Sequence, residues 1–288
     1  MQHTIEIPEL KLMLYLPQNL AQCDAAQYIE MCGLLYRYHT HQLSYYDLKV
    51  QAVYKLLDLK QSKKTLFVND EQDKWCNVYS ISQLVESFFD NRDGQKVINL
   101  DFIHNPVPKQ KPLWRNYYGP ADGFANVTFG EYLDAQRLFL DFSATGNGAL
   151  LYDLAAILYR SKKRPLGKRR AYDSETVEAR ATTFKYCPDG FIYGVFLLFA
   201  AFQKYLATAV IPWAGKELEL SILFDAGDSD RMEAVPGLGM DGLAFALAES
   251  NVFGDFKAVR ATNLWEVLLQ LYNLKKNDLD TKLNDKSK

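Results

Sequence analysis

A mainly α-helical bundle with a small mixed α/β segment in its N-terminal half is the fold class this sequence predicts, and three observations predict it. Helix-entry signals recur along the chain, most clearly at Thr128-Phe129-Gly130-Glu131. There the Thr128 hydroxyl can accept from the backbone N–H three residues on while Glu131 reaches back to the N–H of Thr128. Apolar residues return every three or four positions through most of the second half. Short β-branched and aromatic runs between polar turns are confined to residues 60–122. With 48% hydrophobic residues in 288, the chain can bury a sizeable core.

The elements follow in order. Asp24 is placed to cap a helix carrying Tyr28, Met31, Leu35 and Tyr38. After a break at Thr40-His41-Gln42, Ser44-Tyr45-Tyr46-Asp47 opens a second helix with Leu48, Ala52, Val53, Leu56 and Leu57 on one face. Thr65-Leu66-Phe67-Val68 and residues 96–103 read as strands, Asn91-Arg92-Asp93-Gly94 as a turn, and residues 82–89 as a short helix. Pro106, Pro108 and Pro112 remove three backbone donors, so that stretch is a connector or an edge.

Beyond Thr128 helices are expected throughout. Leu150, Leu151, Leu154, Ala155 and Leu158 form one stripe, and Val177, Ala181 and Phe184 another behind Asp173 or Ser174. Residues 191–205 are apolar nearly all round and belong at the centre, with Phe196, Phe199 and Phe202 in the core. Asp241 is expected to cap a helix with Leu243, Phe245 and Leu247, and Asn263 with Glu266 to open the last. The organisation is therefore an N-terminal helical pair (1–59), a mixed segment with a Pro-rich connector (60–127), a main helical domain (128–275) and a charged tail without structure (276–288).

Charge and cysteine usage narrow the function classes. Lys plus Arg is 33 and Asp plus Glu 35, so nothing draws the whole molecule to nucleic acid or an anionic membrane. The longest apolar stretch, residues 191–202, is shorter than the roughly 20 residues that span a bilayer, so no membrane partner is expected. Residues 1–6 hold no basic region ahead of an apolar one, and no signal peptide is read. Cys23, Cys32, Cys76 and Cys187 are scattered without a C-x-x-C pair, as reduced cytoplasmic thiols would be.

Each chemistry-bearing constellation has a plainer reading beside it. His39 and His41 form an H-x-H pair whose nearest third ligand, Asp47, already serves a helix start; no metal site is expected. Asp101, His104 and Asp122 are the most enzyme-like set, yet no nucleophile stands in a recognisable setting, so a non-enzymatic protein is expected, with the enzyme as the alternative. Residues 237–242 spell G-x-G-x-x-G without a preceding buried strand, and no cofactor is expected.

Two surfaces are candidates for binding. Arg160, Lys162, Lys163, Arg164, Lys168, Arg169 and Arg170 place seven positive charges in eleven residues around Pro165 and Gly167. Such a loop suits phosphates, which makes a nucleic-acid-binding protein using residues 160–170 the second alternative, or an acidic partner protein, or is a solvated loop between two helices; no aromatic residues interleave for base stacking, which disfavours nucleic acid. Trp114, Tyr117, Tyr118 and Phe124 cluster among Gly119, Pro120 and Gly123, either as a protein-binding surface or as the plug of a seam between the two halves.

Residues 116–122 (Asn-Tyr-Tyr-Gly-Pro-Ala-Asp), 128–132 (Thr-Phe-Gly-Glu-Tyr), 156–160 (Ala-Ile-Leu-Tyr-Arg), Val252-Phe253-Gly254 and 262–266 (Thr-Asn-Leu-Trp-Glu) occur in an order that resembles tail assembly chaperones of phage and prophage tail regions in Bacteroidetes-type bacteria. The likeness covers roughly residues 96–272. It implies a role in the bacterial cytoplasm, holding the tape-measure protein soluble and recruiting tail-tube protein. The length, the mixed segment and the basic loop depart from that pattern.

Overall fold

The computed structural model describes residues 3–7, 11–59, 71–164, 167–213, 215–223 and 239–286. The protein is mainly helical, with ten helices and four two-stranded antiparallel hairpins among the described residues.

The segment that is apolar all round becomes the axis of the molecule. Helices α1 (Ala25–His39), α4 (Phe129–Thr145) and α5 (Ala149–Leu158) pack around α7 (Asp189–Thr208). Among the described residues α7 is the one helix long and apolar enough to cross a membrane, and 67% of its most apolar window is buried inside the fold. Its closest approach is to α1. A Cβ on Gly190 would stand 2.0 Å from the Ile29 carbonyl oxygen, so only glycine lets the two backbones meet there. Tyr28, buried in the crossing, donates to the Gly194 carbonyl at 2.8 Å.

Phe199 and Phe202 are fully buried and Phe196 is partly buried. Their rings meet those of α4 and its approach: Phe139 to Phe196 at 5.1 Å, and Phe124 stacked on Phe202 at 4.2 Å. Such ring pairs add to the free energy of burying the rings themselves.

The N-terminal pair forms as the capping signals require. Asp24 accepts from the N–H of Gln27, whose side chain accepts in return from the N–H of Asp24, and α1 follows. Ser44 caps α2 (Tyr45–Leu56) by accepting from the N–H of Asp47. A hairpin of β1 (His3–Ile7) and β2 (Leu12–Leu16) precedes them.

In the mixed segment the expected turn is present. Asp93 and Gly94, both at positive φ, join β3 (Phe89–Arg92) to β4 (Gln95–Ile98), the geometry that matches the twist of a two-residue hairpin. The second strand is shorter than residues 96–103, because beyond Ile98 the Asn99 side chain accepts from the N–H of Asp101 and turns the chain away. The short helix expected over 82–89 is the end of a longer one, α3 (Glu71–Leu84), followed by a 3₁₀ turn at Val85–Phe88. The run at residues 65–68 lies outside the described residues. The Pro-rich connector contributes only β5 (Lys109–Gln110), paired with β6 (Tyr117–Tyr118).

The second half departs from its expectation in three places. A fourth hairpin, β7 (Val210–Trp213) with β8 (Lys216–Glu219), interrupts the helices. Asp241 is not a cap but sits in the first turn of α8 (Gly239–Glu249). The charged tail is helical as far as the described residues reach: after α6 (Val177–Phe184) and α9 (Phe256–Ala261) in the main half, α10 runs Leu264–Lys286. Few apolar anchors preclude docking, not helix formation, since the buried first turns of α10 supply the nucleus onto which Leu- and Lys-containing turns add. One contiguous apolar cluster takes in Leu16, Leu48, Phe102, Phe124, Phe199 and Leu268, so all the larger segments contribute to it.

Candidate functional site: a cationic cleft

The start of α4 anchors the site. Thr128 and Glu131 form the full capping box, and the Phe129 N–H donates to the Thr262 carbonyl while the Leu264 N–H donates to that of Val127, both at 2.9 Å. These bonds set the N-termini of α4 and α10 side by side. Asn263 accepts from the Trp265 N–H through its side chain, completing the second start.

Opposite these helix starts stands the basic loop. Tyr118 and Arg160 exchange backbone hydrogen bonds at 2.9 and 3.1 Å, which ties the loop's beginning to β6. Lys162 and Arg169 pair across it. The Lys162 ammonium lies 4.1 Å above the Tyr118 ring. Between the loop, the helix starts and α9 opens a cleft of about 1340 Å³. Arg160, Lys162, Lys168, Arg169 and Arg170 from the loop, with Lys257 and Arg260 from α9, line it; the acidic residues in its lining are Asp173 and Glu175.

Beneath this surface two carboxylates meet four guanidiniums. Glu131, with a fully buried side chain, accepts through Oε2 from Thr128 and holds Oε1 2.8 Å from Arg160 Nη2 and 3.6 Å from Arg169 Nη2. The Arg160 contact is close but no N–H is aligned on Oε1, which makes it a charge contact rather than a directed hydrogen bond. Asp134, one turn on, receives Arg137 at 2.7 Å, Arg260 at 2.6 Å and the Tyr172 hydroxyl at 2.6 Å. Gly130 permits the Arg260 approach, since a Cβ there would lie 3.0 Å from the Arg260 carbonyl oxygen.

Arg169 also donates to the carbonyls of Leu158 and Asn126, and Arg180 to that of Ala156. Burial nevertheless dominates. Desolvation holds Arg160 and Arg180 below their ordinary range and brings Arg169 down to about 10 despite the attraction of Glu131. Burial, with the hydrogen bond to Asp134, pushes Tyr172 far above the usual phenol value.

The structure distributes the residues singled out in the sequence unevenly. Five of the seven loop cations line the cleft, whereas Lys163 and Arg164 are exposed beside it. The aromatic set does not form one open surface: Trp114 is 93% exposed, but Tyr117 packs on Phe184 and Phe124 on Phe202 in the core. Apolar rings beside the α6 and α7 phenylalanines are better buried there, which is the seam reading for these two. Tyr118 alone of the four lines the cleft.

Asp101, His104 and Asp122 are engaged by different partners. Asp101 pairs with Lys204 at 2.6 Å, and that hydrogen bond holds its carboxyl below the usual range. The His104 ring lies 5.9 Å from that of Phe102, and Asp122 accepts from the Asn105 N–H. The His39 ring lies 6.0 Å from that of Tyr193, and among the described residues no group of three His, Cys, Asp or Glu could hold a metal ion. Of the glycine-rich run, residues 237 and 238 lie outside the described residues, and the rest is the first turn of α8.

Sequence reasoning missed Asp134, Tyr172, Lys257 and Arg260, and took Glu131 for a cap alone. A usable signal existed: Glu131 and Asp134 are three apart on a helix whose first turns are otherwise apolar, so one buried face carries both carboxylates. Buried acids of that kind require cations from elsewhere in the chain.

No family model, no curated protein and no solved structure matches this chain.

Proposed function

We propose that the protein is a non-enzymatic binding factor whose cleft receives an acidic segment of another protein. The observation that carries this reading is the convergence of seven cationic side chains on one cleft of about 1340 Å³, in a molecule whose net charge is −2. Concentrating positive charge in one concave place on a nearly neutral protein steers an oppositely charged segment there and penalises other surfaces. The starts of α4 and α10 add their positive ends to the same wall. Trp114, four residues before the cleft-lining Tyr118 in sequence, is 93% exposed and offers an apolar anchor to the same partner.

The resemblance to tail assembly chaperones would make the partner a tape-measure or tail-tube protein, held in the cytoplasm of a bacterial host before assembly. The departures noted above fall partly on the cleft itself, since the basic loop is its main wall.

The test is fluorescence anisotropy of a labelled Asp/Glu-rich peptide against a Gln-substituted control, at low and physiological salt. Expected is saturable binding of the acidic peptide alone, weakening with salt, with Kd raised about tenfold or more by joint Lys162→Gln, Lys168→Gln and Arg170→Gln. Binding of single-stranded nucleic acid in preference to the peptide, or equal affinity for the two peptides, would overturn the reading.

A further inference from the structure

Arg160 and Arg169, which line the cleft, and the neighbouring Arg180 carry donors that nothing among the described residues satisfies. Arg160 Nε and Nη1, Arg169 Nε and Arg180 Nη2 are buried without a hydrogen-bond partner, and the Arg160 and Arg169 side chains are 4% and 6% exposed. Buried guanidinium N–H groups are among the costlier groups to leave unpaired.

The charge count points the same way. Arg160 and Arg169 share one carboxylate, Glu131; Asp134 is taken up by Arg137, Arg260 and Tyr172, and the charge of Asp173 reaches Arg180 from the exposed rim. Arg160 and Arg180 further repel one another, and Arg160 and Arg169 do the same. A buried region with a surplus of positive charge and idle donors has the composition of an anion receptor. Arg160 and Arg169 both line the cleft, Tyr172 lies against Arg160 with 5.7 Å from guanidinium to ring centroid, and the Lys162–Arg169 pairing closes the loop above.

We propose that this arginine cluster is a receptor for a single oxyanion, a carboxylate or a phosphate, bound between Arg160 and Arg169 with Arg180 behind them. It rests on the reading of the cleft as a binding site, and names the chemical group that the bound segment inserts. Planar guanidiniums match either oxyanion by paired N–H donors, so geometry alone selects the class and not the source.

The experiment measures the thermal midpoint of the full chain in phosphate, acetate and chloride at matched ionic strength and pH, alongside the peptide assay above. A ligand that binds only the folded state raises the midpoint with its concentration. Expected is a rise of several degrees in phosphate or acetate over chloride; the salt that gives the larger rise identifies the source. Equal midpoints in the three salts would overturn the proposal. The double variant Glu131→Gln with Arg160→Met removes both charges of the inner pair together and keeps a side chain able to complete the capping box. It should abolish the increment, whereas Lys163→Gln, exposed beside the cleft, should leave it within error. Retention of the full increment in the double variant would also overturn the proposal. Should the double variant fail to fold, arginine Nε–H resonances of the unaltered protein serve instead: phosphate or acetate should shift those of Arg160 and Arg169, and unmoved signals would count against the site. Peptide binding without an oxyanion effect overturns this inference and leaves the proposed function; an oxyanion effect without peptide binding does the reverse.

Discussion

Around α7, Phe124 stacks on Phe202 at 4.2 Å, Phe142 meets Phe196 at 4.8 Å and Tyr159 meets Phe191 at 5.0 Å, with water excluded by ring against ring. At the start of α4, equally buried, Glu131 faces Arg160 and Arg169 across charge contacts that leave several donors idle. The first region gains free energy from each carbon removed from water. In the second, desolvating the ions consumes most of what their attraction returns. Interiors held by apolar packing need nothing further, whereas a buried cationic cluster beside an open cleft is a costly arrangement for stability alone and so points towards binding.

The comparison breaks most visibly by removing one member from each region. Phe199→Ala should lower stability by about 3–5 kcal/mol, through lost burial and the cavity left among Phe124, Tyr132 and Phe139. Glu131→Ala should cost a similar amount, about 3–5 kcal/mol, because it strands buried guanidiniums. Chemical denaturation checks both, and the second substitution separates them. Adding Arg160→Met to Glu131→Ala should restore much of the loss, while no single further substitution should restore Phe199→Ala. If Arg160→Met gives no recovery, the arginine cluster is not governed by charge.

The same contrast explains what could be read in advance. The nearly continuous apolar run of residues 191–205 and the Thr128–Glu131 box are local patterns, and both appear in the structure as α7 and the start of α4. The partners of Asp134 are not local: Tyr172 and Arg260 lie 38 and 126 residues away in sequence, and nothing in their own neighbourhoods marks them. The seven-charge loop was visible, but not that Arg160 and Arg169 turn inward while Lys163 and Arg164 stay out. Likewise Tyr117 and Phe124 share a stretch with Trp114, and only the packing of α6 and α7 decides which rings are core.

A smaller effect sharpens the comparison on the apolar side. Cys23 and Cys187 are buried among apolar neighbours, and desolvation pushes their thiols to about 12 and about 11. In the unfolded chain these thiols ionise near pH 8.5 to 9, while the folded protein keeps their protons. Stability contributed this way is complete below the unfolded value and declines as pH rises through the folded one. Denaturation midpoints should therefore fall between about pH 9 and 11, and Cys23→Ser with Cys187→Ser should reduce that fall. An unchanged alkaline slope in the double variant would place the sensitivity elsewhere, with the buried tyrosines as the next groups to replace.

The smallest effect is expected where neither kind of packing holds the chain. Helix α10 begins with Leu264, Val267 and Leu268 fully buried, but Leu274 is 46% exposed and Leu279 39%. Its later turns, among them the Thr281 hydroxyl donating to the Asn277 carbonyl, are held by their own backbone and local side-chain bonds. An isolated helix of that length is marginal in water, and it persists here because the docked turns nucleate it. Deleting residues 276–288 should thus leave the thermal midpoint within error while reducing the helical signal in far-ultraviolet circular dichroism by the share of those turns. A drop of several degrees would mean that the last turns make contacts of their own with the body of the protein. A constant midpoint with an unchanged spectrum would mean that they are not helical in solution, and the contrast between docked and undocked halves of α10 would then be one between order and its absence.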